Sequence, residues 1–148
     1  MLIDSQNQFS AAQAVTSTGA TASSNIIDLG VARDIGGAVT DRLALLCEVV
    51  TPFASGGAAT LQVQFQTAPD NGAGAPGSWT TLVQSDAVPV ASLGRGHRFL
   101  PGAVPGGTQR FIRLNYVVGT AVMTAGALTA GLVPALEVPI AYARGYAA

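Results

Sequence analysis

The sequence predicts an all-β protein, a two-sheet antiparallel sandwich with extended N- and C-terminal arms, on three observations. Short runs rich in Val, Ile, Leu, Thr and aromatics alternate with clusters of Gly, Pro, Asn and Asp, which is the pattern of strands and turns. Thr60-Leu61-Gln62-Val63-Gln64-Phe65-Gln66 alternates strictly, so Leu61, Val63 and Phe65 share one face and the glutamines the other. No long segment carries helical periodicity.

A second strand spans 110–118, ending at Gly119, with Phe111, Arg113 and Asn115 opposite Ile112, Leu114 and Tyr116. Apolar groups on both faces place it centrally in a sheet. Further strands are expected at Asn25 to Leu29, Leu43 to Val50, Trp79 to Ser85, Arg98 to Leu100 and Ala127 to Val133. The tract at 68–77, which contains Asn71-Gly72, is too long for a minimal hairpin connection and should form an exposed flap. Pro89, Pro134 and Pro139 belong at edges or strand ends, because proline gives no ladder N–H.

The domain expected is 25–133. Residues 1–24, rich in Gln, Ser, Thr and Ala, and the tail at 134–148 look unable to build a core of their own, and read as arms that order on the sandwich or on a neighbour. Deleting residues 1–24 should then weaken attachment more than folding.

Composition speaks to partners. Of 148 residues, 49% are hydrophobic and 10% charged, against roughly a quarter charged in an average soluble domain. A surface so poor in charge is normally covered, so an obligate partner or self-assembly is expected. A formal net charge of −1 supplies no basic field for nucleic acid or anionic lipid. All seven basic residues are arginine, whose planar fork suits interfacial pairing better than an ammonium does.

Cys47, the single cysteine, lies in the apolar run 43–50 and reads as a buried small hydrophobe. Leu114 to Leu136 is uncharged and long enough to span a membrane, but its threonines, glycines and Asn115 alternate as strands do. The N-terminus lacks the basic and apolar regions of a secretory signal.

Chemistry-bearing constellations are sparse. His97 sits in Gly94-Arg95-Gly96-His97-Arg98, and Ser92 and Asp86 could be imagined with it in a triad, but no nucleophile-elbow pattern is present. The same loop lacks the spacing of a phosphate-binding loop. One Cys and one His cannot make a structural zinc site, and Asp28, Asp34, Asp41, Asp70 and Asp86 follow no calcium-loop pattern. Trp79 and Tyr116 could stack on a sugar, although core packing accounts for them. No catalytic residue, cofactor or metal is therefore expected. The candidates are interfacial: Phe9 on the N-terminal arm, Arg33 and Asp34, Arg95 and Arg98 of the basic loop, and Arg110 and Arg113.

Several segments carry a family resemblance: Met1 to Ser10, Gln13 to Thr16, Ser24 to Gly30, Arg33 to Gly36, Leu61 to Gln66, Phe111 to Tyr116 and Ala125 to Gly131. Together they resemble the capsid cement proteins of tailed phages, of the Bordetella-phage type. That resemblance implies a jelly-roll sandwich bound to the outside of an icosahedral capsid, bridging capsomers, with the major capsid protein and other copies of itself, as dimer or trimer, for partners. It implies synthesis in the bacterial cytoplasm, a place on the virion exterior and no enzymatic role. A phage tail component or carbohydrate-binding module is the alternative; a small hydrolase and a shell-forming capsid subunit fit less well.

Overall fold

The computed structural model describes residues 3–36, 43–100 and 102–134. Ten strands run in the order β1 (Gln8–Ala14), β2 (Gly19–Ala22), β3 (Ile27–Asp28), β4 (Leu43–Ala54), β5 (Thr60–Ala68), β6 (Thr80–Gln84), β7 (Val88–Pro89), β8 (Gly102–Ala103), β9 (Phe111–Gly119) and β10 (Ala125–Pro134). One sheet has the order β1-β10-β4-β8. The other has the order β2-β9-β5-β6, with β3 also pairing β9 and β7 pairing β5. Every pairing is antiparallel. With β3 and β7 taken as continuations of β2 and β6, consecutive strands alternate between sheets except at the β5-β6 hairpin, the double Greek key of a jelly roll.

Alternation in the long strands builds the interior. Leu61, Val63 and Phe65 of β5 and Ile112, Leu114, Tyr116 and Val118 of β9 point inward, facing Leu45, Cys47 and Val49 of β4 and Leu128, Ala130 and Leu132 of β10. β9 is central, between β2 and β5, as its two-sided apolar pattern requires. Burial pushes the Cys47 thiol pKa far up, which suits an inert packing residue.

The N-terminal segment departs from expectation. β1 is an edge strand of the first sheet and β2 lies beside β9 in the second, so 8–22 belongs to the sandwich rather than to an arm. Its few large hydrophobes enter the shared core: Phe9 is fully buried and meets Phe65 edge-on, ring centroids 6.1 Å apart. Residues 3–7 cross the outer face of the first sheet, where Ile3 packs on Ala44, Leu46 and Val133. Gly131 permits that crossing, since a Cβ there would stand 2.8 Å from Ile3 Cγ2 and 2.9 Å from the Asn7 carbonyl oxygen. Deleting 1–24 would remove two strands and a core aromatic, so the deletion should cost folding directly. The expected tail beyond Pro134 lies outside the described residues, as does Pro139.

A polar chain crosses the interior near Phe9. The Ser10 hydroxyl donates to Gln13 Oε1 at 2.7 Å, so the buried Tyr116 hydroxyl is the donor in its 2.7 Å bond to Ser10 Oγ. Gln13 Oε1 also accepts from the Ser24 N–H at 2.7 Å, and its Nε2 donates to the Ala22 carbonyl at 2.9 Å. Asn25 closes the same seam, its backbone N–H reaching the Phe9 carbonyl at 2.9 Å and its Nδ2 the Gln8 carbonyl at 2.8 Å.

The expected strand at Arg98 to Leu100 is instead part of an irregular segment running along β4. Phe53, Val49 and Cys47 exchange backbone bonds with Leu93, Gly96, His97 and Phe99, and the ladder amounts to the single bridge Glu48 to Arg98. Gly94 and Gly96 break the extended conformation there, Gly96 with φ +86°. Leu93 and Phe99 are nevertheless buried and cap the core.

In urea denaturation, Phe9→Ala should cost about 3–5 kcal/mol as a cavity beside Phe65. Ser10→Ala should cost about 1–3 kcal/mol, and more than Tyr116→Phe, because it leaves the buried tyrosine hydroxyl without an acceptor whereas the phenylalanine leaves Ser10 bonded to Gln13. Equal stability of both variants and wild type would remove the cross-sheet chain as a stabilising element.

Candidate interaction surface

The outward residues of β9, β5 and β6 form rows set by strand register. Asn115, Gln64 and Gln84 are Cα partners in sequence across the three strands, and Arg113, Gln66 and Thr81 form the next row. Side-chain bonds follow the rows. Asn115 Nδ2 donates to Gln64 Oε1 at 2.8 Å, and Gln64 Nε2 donates to Gln84 Oε1 at 3.3 Å. Arg113 Nε donates to Gln66 Oε1 at 2.9 Å, and Gln66 Nε2 reaches both Thr81 Oγ1 at 3.1 Å and Gln64 Oε1 at 3.2 Å. Gln62 adds a bond to the Ser85 carbonyl at 2.9 Å. The result is a neutral amide face in which each residue orients the next.

Arg113 is the one charge within these rows. Its guanidinium lies 4.0 Å from the centroid of the Trp79 ring, a cation–π stack. Burial pushes its pKa down from the ordinary arginine value, and no carboxylate lies within ion-pair distance of it among the described residues. The stack occupies one face of Trp79, and Tyr116 is wholly buried, so neither serves as an open sugar platform on those faces.

At the end of the same face, Arg110 is saturated. Its Nε and Nη2 take the two carboxylate oxygens of Asp28 at 2.9 and 3.0 Å, and its Nη1 binds Asp70. The clamp ties the flap to β3 and to the start of β9, and the guanidinium also covers the Phe111 ring. The flap is exposed, as expected, and internally braced. Asp70 Oδ1 accepts from the Gly72 and Gly74 N–H groups, Asn71 Oδ1 accepts from those of Ala73 and Ala75, and Asp70 bridges to Pro76. The Arg110 hydrogen bond and the Gly30 N–H hold the Asp28 carboxyl below its ordinary range, while Asp70 is lowered chiefly by the Gly72 and Gly74 N–H groups.

The other expected interface residues take different places. Phe9 is a core residue of this chain and not, as expected, an interface residue. Asp34 is an internal staple: its oxygens accept from the Gly36 N–H at 3.1 Å, the Gly107 N–H at 2.9 Å and the Thr108 hydroxyl at 3.3 Å, and these backbone bonds lower its pKa. Arg33 and Arg95 lie on exposed loops, and Arg98 pairs with Glu48 at 2.9 Å. The His97 ring meets Phe99 edge-on at 4.8 Å.

Arg110 and Arg113 are thus close in sequence but opposite in state, one locked in an internal triad and the other backed only by neutral groups. The partners Asp28, Asp70, Gln66 and Trp79 were not assigned from sequence. Alternation put Gln62, Gln64 and Gln66 on the polar face of their strand and Arg113 and Asn115 together on one face of theirs, and the register sets these faces side by side.

Asp28 and Asp70 have folded-state pKa values below the ordinary 3.8, so their contribution to stability is present above the unfolded value and is lost as pH falls through the folded ones. Thermal melts between about pH 5 and 2 should therefore show wild type losing more stability than the Asp28→Asn, Asp70→Asn double variant. Parallel loss in both would show that the clamp is not coupled to folding.

No curated protein matches the chain. A protein-family model, Bbp16, matches residues 9–132, a span that begins at Phe9 and ends in β10, and the family's name points to a Bordetella phage protein. The chain, which carries a neutral amide face on a jelly-roll sandwich, belongs to the Bbp16 family.

Proposed function

We propose that the chain is a non-enzymatic structural protein of a tailed-phage virion that decorates the capsid exterior and reinforces contacts between capsomers. The observation that carries this reading is the outer face of β9, β5 and β6 in a member of a family whose name points to a phage: ordered, polar and almost without charge, with Gln66 and Asn115 packed in among their neighbours. A face that remains in water is normally rich in charge, whereas one that docks on protein is depleted of it. The jelly roll supplies a rigid platform, and the braced flap projects from it without further ordering cost.

The partners in this reading are the major capsid protein and further copies of the chain in a small oligomer, dimer or trimer. With net charge −1 the chain has no field for nucleic acid or membrane. Apolar area buried at a capsomer seam contributes roughly 25 cal/mol per Å² before association costs. Repetition over the shell multiplies a modest site energy.

The test is co-sedimentation of the purified chain with capsids of the encoding phage stripped of this protein. Saturation at a fixed ratio to the major capsid protein, with a rise in capsid rupture temperature, is expected. A soluble chain that leaves stripped capsids unoccupied would overturn the reading.

A further inference from the structure

The five arginines among the described residues divide by what holds their nitrogens. Arg110 has all three engaged by Asp28 and Asp70, and Arg98 is paired with Glu48. Arg33 and Arg95 sit on exposed loops, where a long side chain has no fixed aim. Arg113 is different. Its Nε is fixed by Gln66, its flat face rests on Trp79, and its Nη1 and Nη2 have no hydrogen-bond partner among the described residues.

The free edge of that guanidinium is the pair of terminal nitrogens, part of the fork that matches a carboxylate bidentately. It is aimed in advance: Gln66 is itself held by Thr81 and Gln64, so the arginine has little rotamer freedom left to lose. The surrounding rows, Gln62, Gln64, Gln84 and Asn115, are neutral, so neither a competing carboxylate nor a second cation stands in them. In the next row, Asn115 Oδ1 and Gln84 Nε2 are further polar atoms without a partner among the described residues. A partly desolvated cation without a counter-ion is costly in a free protein, and a partner that delivers the counter-charge recovers that cost.

We propose that Arg113 is the anchor of the docking face and receives an aspartate or glutamate side chain of the capsid shell protein. The proposal rests on the decoration reading above and names the chemistry of the partner at that face.

The experiment measures binding of wild type, R113K and R113Q to stripped capsids at low and physiological salt, with thermal melts of each variant as a folding control. R113Q should melt near wild type and bind roughly tenfold or more weakly, and R113K should recover little, because a lysine keeps the charge but not the fork. The salt dependence of wild-type binding should flatten in R113Q. One acidic residue on the shell surface, changed to its amide, should reproduce the loss and add nothing when combined with R113Q.

Wild-type binding with R113Q unaffected overturns the anchor and leaves the decoration role standing. Full binding by R113K overturns the fork. Losses from R113Q that add to those of every shell variant overturn the carboxylate partner, and no binding by wild type overturns both proposals.

Discussion

The structure depends on a seam between the sheets at which the N-terminal strand is fastened. Tyr116 of β9 reaches across to Ser10 of β1, and Phe9 meets Phe65 of β5 beside it. An interior that buries a tyrosine hydroxyl must supply it with a partner, since an unmade hydrogen bond in an apolar core costs more than a made one contributes. Ser10 and Gln13 supply it, and Gln13 passes the constraint to Ala22 and Ser24. One polar chain thereby ties β1 to β9 and to the end of β2 and the residue beyond it. Burial raises the Tyr116 pKa, so the hydroxyl stays protonated.

With the interior fixed, the outward faces become free to differ. On the first sheet Ala44, Leu46 and Val133 lie on the outer side and take Ile3 as a cover. On the second sheet the same strand geometry turns amides outward, and their mutual hydrogen bonds replace the charges a solvated face would carry. The Arg110 clamp borders this face and ties the flap to it through Asp70. Surface ion pairs of this kind contribute little stability by themselves; here the clamp sets position.

Arg110 and Arg113 show why neighbouring residues of one type serve different ends. The chain leaves a loop at Arg110, where Asp28 of β3 and Asp70 of the flap converge, whereas Arg113 lies within β9 and faces the glutamine opposite it in β5. The first is spent on the fold. The second is held by an amide and an aromatic ring that fix its direction without neutralising it.

Local pattern made much of the sandwich legible in advance. The alternation at 60–66 and 110–118 gave two long strands with their inward and outward faces, because side chains in a strand point alternately whatever the strand pairs with. The composition of 68–77 likewise gave an exposed flap, since glycine and Asx turns form within the segment itself. Residues 8–22 were misread because the core contributed by Phe9, Ser10 and Val15 exists only once β9 and β10 lie against them; small, polar side chains hide that dependence. The amide face was half legible, its glutamines assigned to a polar face and Arg113 and Asn115 to a shared one, but none of them to rows. Which glutamine meets which arginine, and which carboxylate meets Arg110, is set by register and strand order across 40 to 82 residues of chain. Those are choices of tertiary packing, made by the summed burial of the whole interior rather than by any segment alone.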